Sequence, residues 1–213
     1  MSAAPRKTLG AVLYPDFELL DLYGPLEMFG SLRDQFEIVC VAEHTGPVRS
    51  YQGPETLASV GFTEAPAFDL LLVPGGMGTV PQLENPALAE FLVKQAATAK
   101  TVMSVCTGSA LLAKCRLLDG RRATSNKMFF SLATNQSSAV TWVEAARWVV
   151  DGPFVTSSGV SAGTDMALAV IAAHCGDAAA EQVARFTEYQ WHRDAATDPF
   201  VEYLNQADLG ALA

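Results

Sequence analysis

Apolar and polar residues alternate along the chain in short blocks whose period switches between that of strands and that of helices. Thr8-Leu-Gly-Ala-Val-Leu13 is a mostly apolar run halted by Pro15, and it predicts a buried first strand. Leu19 to Gly30 has apolar residues at helical spacing, interrupted at Gly24-Pro25. That pattern predicts a loop carrying Asp21 and then a helix opening near Pro25, because proline is favoured in a helix's first turn. Phe36 to Ala42 predicts a second strand, and residues 46–66, rich in Gly, Pro, Thr and Ser, a hairpin with loops. Leu70-Leu-Leu-Val73, ended by Pro74-Gly75-Gly76, has the continuous apolar character of a central parallel strand buried on both faces.

The second half continues the alternation. Asn85-Pro86 opens a helix running to about Thr98, with proline at the first helical position. Thr101 to Val105 reads as a strand, Ala110 to Cys115 as a helix, and Leu118 to Arg121 as a turn into a short strand near Ala123. Trp148 to Asp151, Gly152-Pro153 and Phe154 to Thr156 read as strand, turn and strand. Gly163 to Cys175 is a strongly apolar helix and Asp177 to Tyr189 an amphipathic one. Strands alternating with helices imply βαβ units and an α/β fold with a mostly parallel central sheet covered on both faces. Ligands and chemistry in such folds gather outside the carboxyl ends of the strands.

Composition narrows the function classes. Half of the 213 residues are apolar, enough for one sizeable core, and a single domain over 1–213 is expected. The net charge of −9 argues against nucleic acid as a partner, since phosphate binding needs clustered Lys and Arg. No apolar run approaches the ~18 residues of a membrane span, and the polar start Met1 to Lys7 is unlike a signal peptide. A cytoplasmic protein that meets neither membrane nor nucleic acid is expected. The four cysteines, at 40, 106, 115 and 175, form no C-x-x-C pair and are expected to be reduced. His44, His174 and His192 are far apart in sequence, so no metal site and no cofactor are expected.

Cys106 is the sharpest feature. In Val105-Cys-Thr-Gly-Ser109 it stands where a buried strand turns directly into a helix, the logic of a nucleophile elbow. The helix N-terminus turns positive dipole and free N–H groups toward the sulfur, which predicts a lowered thiol pKa. A cysteine at a strand end otherwise serves as a small buried hydrophobe, and that plainer reading suits Cys40, Cys115 and Cys175. Gly75 and Gly76 follow a central strand and let backbone N–H groups approach a ligand. Together with the N–H of Thr107, one of them could form an oxyanion hole; alone they are an ordinary turn. Asp21 lies between Leu20 and Leu22, so partial desolvation is expected to raise its pKa and suit it to donate a proton to or near the thiol. Its competing role is to cap a helix ahead of Pro25.

Five segments in order resemble the DJ-1/PfpI superfamily: Tyr14-Pro15 through Asp21 to Glu27, Asp69 to Gly76, Val105-Cys106-Thr107-Gly108, Leu117 to Thr124, and Ser158-Gly159 to Leu168. Within it, Leu-Asp-x-x-Gly-Pro and the Cys-Thr-Gly elbow are similar to the isocyanide hydratase branch, and to the sensor domain of some AraC-type regulators. The resemblance implies a flavodoxin-like three-layer sandwich of the class I glutamine amidotransferase kind, usually a homodimer. It implies Cys106 as the reactive thiol, Asp21 as its acidic partner, and a pocket bordered by Gly159 and Val160. Thr107 stands where the protease-like branch has His, and Asn126 where regulator-type relatives often have His, which weakens a peptidase or amidase reading. The few residues after this domain cannot hold a helix-turn-helix, and the charge is wrong for DNA.

The expected activity is hydration of a small-molecule isocyanide to an N-substituted formamide through a thioimidate on Cys106, with Asp21 as general acid and base. Two alternatives use the same pair. One is a glyoxalase-type hydratase of 2-oxoaldehydes. The other is a non-catalytic protein whose thiol senses or absorbs oxidants.

Overall fold

The computed structural model describes residues 5–207; residues 1–4 and 208–213, and with them the outer ends of the unit expected over 1–213, lie outside the described residues. In chain order the elements are β1 (Lys7–Val12), α1 (Leu19–Gly30), β2 (Phe36–Ala42), β3 (Gly46–Arg49), β4 (Glu55–Ala58), β5 (Val60–Gly61), β6 (Leu70–Val73), α2 (Thr79–Gln82) and α3 (Pro86–Ala96). They continue with β7 (Thr101–Ser104), α4 (Gly108–Lys114), β8 (Arg122–Ala123), α5 (Phe130–Thr134), β9 (Thr141–Trp142), β10 (Trp148–Asp151), β11 (Phe154–Ser157), α6 (Ala162–Cys175) and α7 (Asp177–Phe186). A 3-10 turn, Pro199–Tyr203, follows.

Seven strands form one sheet in the order β10-β11-β7-β6-β1-β2-β5, and only the β10–β11 pair is antiparallel. All four residues of β6 and of β7 are buried, as both faces of the sheet are covered. The chain moves outward from β1 to β2, then returns to lay β6 on the other side of β1. Right-handed crossovers running in opposite directions from that reversal put α1 and α3 on opposite faces. Helix α1 packs against α6, and α6 against α7, to complete one outer layer. This is the flavodoxin-like three-layer α/β sandwich expected from the sequence.

The first helix differs from expectation. It starts at Leu19, carries Asp21 in its first turn and encloses Pro25. Proline lacks the N–H that would bond the Asp21 carbonyl, and inside a helix this costs about 3 kcal/mol. Two outside contacts hold the early turn. The Glu18 N–H donates to Gly75 O at 2.8 Å, and the Leu19 N–H donates to Gln52 Oε1 at 3.0 Å. Leu22, Leu26, Met28 and Phe29 are buried on the inner face, and each fully buried side chain of this kind stabilises by about 1.5–3 kcal/mol. Burial and long-range hydrogen bonds therefore outweigh a local break that would otherwise define a loop.

Candidate active site

Strands β1, β6 and β7 are neighbours, so the segments that leave their carboxyl ends meet. The segment after β1 brings Asp21, the segment after β6 brings Gly75 and Gly76, and the segment after β7 brings Cys106 and Thr107. Cys106 has φ +58°, a left-handed backbone that an ordinary residue adopts only under restraint, and this turns the thiol away from the strand axis. Its N–H donates to Ser158 O at 3.0 Å, which ties the elbow to the end of β11. The Gly75 N–H donates to Asp21 Oδ2 at 2.9 Å. A Cβ at Gly75 would sit 2.5 Å from the Thr107 N and 3.0 Å from Asp21 Oδ2, so only glycine lets these two loops close on the acid. The second carboxyl oxygen, Oδ1, is buried and has no hydrogen-bond partner among the described residues.

Above the thiol lies a cavity of about 170 Å³. Its walls are mainly apolar: Met77, Val80, Phe129, Leu132, Val160 and the ring of Tyr51. Cys106, Thr107, Asn126 and Gly76 supply the polar floor. The β3–β4 hairpin arches over one side, held by the Tyr51 N–H to Phe17 O and the Asp16 N–H to Arg49 O, each 2.9 Å.

Electrostatics at the floor depart from the sequence expectation in one respect. Burial pushes Asp21 up to about 8, as foreseen, with the Gly75 N–H pulling the other way and Glu18 adding repulsion. Burial also pushes the Cys106 thiol well above its ordinary value, and the Asp21 carboxyl reinforces the rise. The N–H groups of Thr107 and Val160 and the Asn126 amide oppose it. The expected lowering by the helix N-terminus is therefore overturned. Helix α4 has seven residues, and a helix terminus contributes about 0.3–1 kcal/mol, whereas full burial moves a pKa by up to about 3–5 units. Both shifts favour the neutral forms, a thiol beside a carboxylic acid.

Each residue singled out from the sequence has a definite place. Gly75 orients Asp21. The Gly76 N–H donates to Thr107 Oγ1 at 3.0 Å, and that hydroxyl in turn meets Thr79 Oγ1 at 2.9 Å. The Gly76 N–H is thus already engaged, while Thr107 and Val160 aim their N–H groups at the sulfur. Gly159 lies outside this cavity. A Cβ there would come within 2.6 Å of Asn126 Nδ2, so its lack of a side chain makes room for that amide. The three histidines do not join the site. His174 bonds Thr101 at the opposite end of β7, at 2.9 Å, and burial with Lys7 and Lys100 lowers its pKa rather than favouring a cation. His44 lies by Glu43, and the His192 N–H donates to Asp165.

Asn126 is the residue on the cavity floor that sequence reasoning left without a role. Its Nδ2 donates to Cys106 Sγ at 3.1 Å, while its Oδ1 accepts the Phe129 N–H at 3.1 Å, so the second bond fixes which face of the amide meets sulfur. Read as the place of a missing histidine, position 126 still supplies an N–H donor. Lys127 braces the same turn from beneath, with Nζ donating to Ala146 O at 2.6 Å and Thr124 Oγ1 at 2.8 Å, and burial brings its amine down to about 8.

Residues 8–173 match the model of the DJ-1/PfpI family. The chain belongs to the DJ-1/PfpI family. Among relatives of this DJ-1/PfpI protein, an isonitrile hydratase of Pseudomonas putida is 34% identical over 181 residues, 85% of this chain and 78% of the relative. A deglycase of Pyrococcus abyssi is 30% identical over 151 residues, 70% of this chain and 86% of the relative. A crystal structure of a ThiJ/PfpI family protein from Pseudomonas syringae aligns with TM-score 0.79 at 31% identity, over 88% of this chain and 77% of the other. Among the described residues no helix is long and apolar enough to cross a membrane, and no group of three or more His, Cys, Asp or Glu side chains is arranged to hold a metal.

Proposed function

We propose that this DJ-1/PfpI protein hydrates isocyanides to N-substituted formamides, with Cys106 as nucleophile and Asp21 as proton carrier. The observation that carries the reading is a thiol, a buried carboxylic acid with one free oxygen and an amide N–H donor to sulfur, all beneath a small apolar cavity. An isocyanide carbon must gain a nucleophile and a proton on the same atom. As Sγ bonds that carbon, its proton passes to Asp21, and the Asp21 O–H delivers its own proton to the carbon. The product is R–N=CH–S–Cys, a thioimidate, with Asp21 again protonated. Water then adds to the thioimidate carbon with proton transfer to nitrogen. Collapse of R–NH–CH(OH)–S–Cys returns the proton to sulfur and releases R–NH–CHO. The N–H groups of Thr107 and Val160 and the Asn126 amide stabilise negative charge on sulfur as it enters and leaves. The likeness to an isonitrile hydratase over most of both chains supports the same chemistry.

The test is formamide release from a panel of alkyl and aryl isocyanides, which is expected with the native chain. Cys106→Ala is expected to abolish it, and Asp21→Asn to slow it by about 10²–10⁴, the usual contribution of a positioned proton carrier. Silence across the whole panel overturns the reading. The deglycase relative favours one competitor, in which the same pair acts on a 2-oxoaldehyde as a hemithioacetal. Lactate from methylglyoxal, formed faster than formamide from any isocyanide, would select it. The exposed Leu20 and Tyr23 on α1 and Leu57 on β4 support a homodimer as the working unit, and light scattering reads its mass directly.

A further inference from the structure

Among the described residues, one charged side chain lines the cavity over Cys106, and the hydration chemistry makes no use of it. Glu18 is half-buried at the N-cap of α1, three residues before the proton carrier. Its carboxylate is held in place, because Gln52 Nε2 donates to Glu18 Oε1 at 2.6 Å while Gln52 Oε1 accepts the Leu19 N–H at 3.0 Å. Gln52 belongs to the turn of the β3–β4 hairpin, and the adjacent Tyr51, also on the lining, is 48% exposed. No Lys, Arg or His side chain among the described residues lines the cavity to offset the Glu18 charge. The whole chain adds to it with a net charge of −9.

We propose that Glu18 is a charge filter for this site, which admits substrates whose side group is neutral or cationic and turns away those that carry a carboxylate. The physical reason is that an anion entering an apolar cavity beside a fixed carboxylate loses hydration and meets repulsion without any compensating cation. A cationic group at the same place is attracted by the carboxylate. For the hydratase reading, on which the identity of the reaction rests, the substrate class is then an isocyanide built on a simple amine, not one built on an amino acid with its carboxylate intact. A 2-oxoacid is excluded on the same ground.

The filter can be read without any turnover. Iodoacetamide and iodoacetate alkylate a thiol by the same displacement of iodide, with loss of the thiol proton, and differ in charge. Their rate ratio at Cys106, measured by mass spectrometry on the peptide that contains it, divides out the acidity of the thiol itself. The native chain is expected to favour iodoacetamide over iodoacetate by about five- to tenfold more than a free thiol does, a preference that salt narrows. Glu18→Gln, which keeps an oxygen to accept from Gln52, is expected to bring the ratio back to that of the free thiol. A native ratio equal to the free thiol's, or one that Glu18→Gln leaves unchanged, overturns the proposal. Phenyl isocyanide and its para-carboxylate supply the second arm. Turnover of both at equal kcat/KM removes the filter and leaves the hydratase reading standing. Turnover of neither, with no formamide from the rest of the isocyanide panel and the alkylation ratio as expected, removes the hydratase reading and leaves the filter standing.

Discussion

At Cys106, burial and Asp21 hold the thiol pKa up, and the Asn126 amide is one of three N–H donors that oppose them. Asn126 donates to sulfur at 3.1 Å, and a donor to the charged form lowers a pKa. Asn126→Ala is expected to raise the thiol pKa further and to slow alkylation at neutral pH about tenfold, the equivalent of one hydrogen bond to a charged group. The pH profile of iodoacetamide labelling checks this, since its midpoint must move upward. Asp21 makes a second prediction, because its folded pKa lies far above that of an unfolded aspartate. Between about pH 4 and pH 8 the native state binds the extra proton, so this residue lowers stability progressively as pH rises through that window. Asp21→Asn removes the dependence. Its melting temperature is expected to exceed that of the native chain near pH 8, by an amount equivalent to a few kcal/mol, and the two are expected to converge near pH 4. A gap that stays constant across that range would mean that Asp21 is not the group being titrated.

Among the elements, α3 and α1 form for opposite reasons. Helix α3 is written locally. Asn85 caps it by accepting from the Ala87 and Leu88 N–H groups at 2.9 and 3.3 Å, Pro86 opens it, and Leu88, Phe91 and Leu92 recur on one buried face. Asn85→Ala is expected to cost about 1 kcal/mol in urea unfolding and to leave Cys106 labelling unchanged, since Asn85 is not on the cavity lining. Helix α1 is not written locally. Its sequence reads as loop then helix because Pro25 removes a donor. What continues the helix back to Leu19 is a carbonyl from the segment after β6 and a glutamine from the β3–β4 hairpin. The displacement bears on the proposed function, since it places Asp21 in a fixed helical turn.

For the molecule as a whole, a buried ion pair fastens the last third of the chain to the sheet. Arg147, just before β10, donates through Nε and Nη2 to Asp165 Oδ2 at 2.8 and 2.6 Å. Asp165 Oδ1 takes the Tyr189 hydroxyl at 3.1 Å and the His192 N–H at 2.8 Å. Asp165→Asn leaves the Arg147 charge buried without its partner and is expected to cost about 3–5 kcal/mol in urea unfolding, far more than the same exchange on a surface pair such as Glu37 with Arg6. Nothing in the local pattern joins residues 147, 165 and 192, since Arg147 precedes β10, Asp165 lies on α6 and His192 follows α7.

The alternation of apolar blocks was by itself sufficient for the parallel sheet, for the strands that end at Val73 and, one residue short of the expected Val105, at Ser104, and for the elbow that carries Cys106. Strand and helix periodicity act over a few residues, and burial on two faces leaves a continuous apolar run as its trace. The raised pKa of Asp21 was legible for a similar reason, because leucines flank it on both sides. The start of α1, the hydrogen bond from Asn126 and the neutral resting thiol were decided only when β1, β6 and β7 came side by side. Each of those features is a balance between desolvation and a partner distant in sequence. Desolvation depends on the whole enclosure, and no window along the chain contains it.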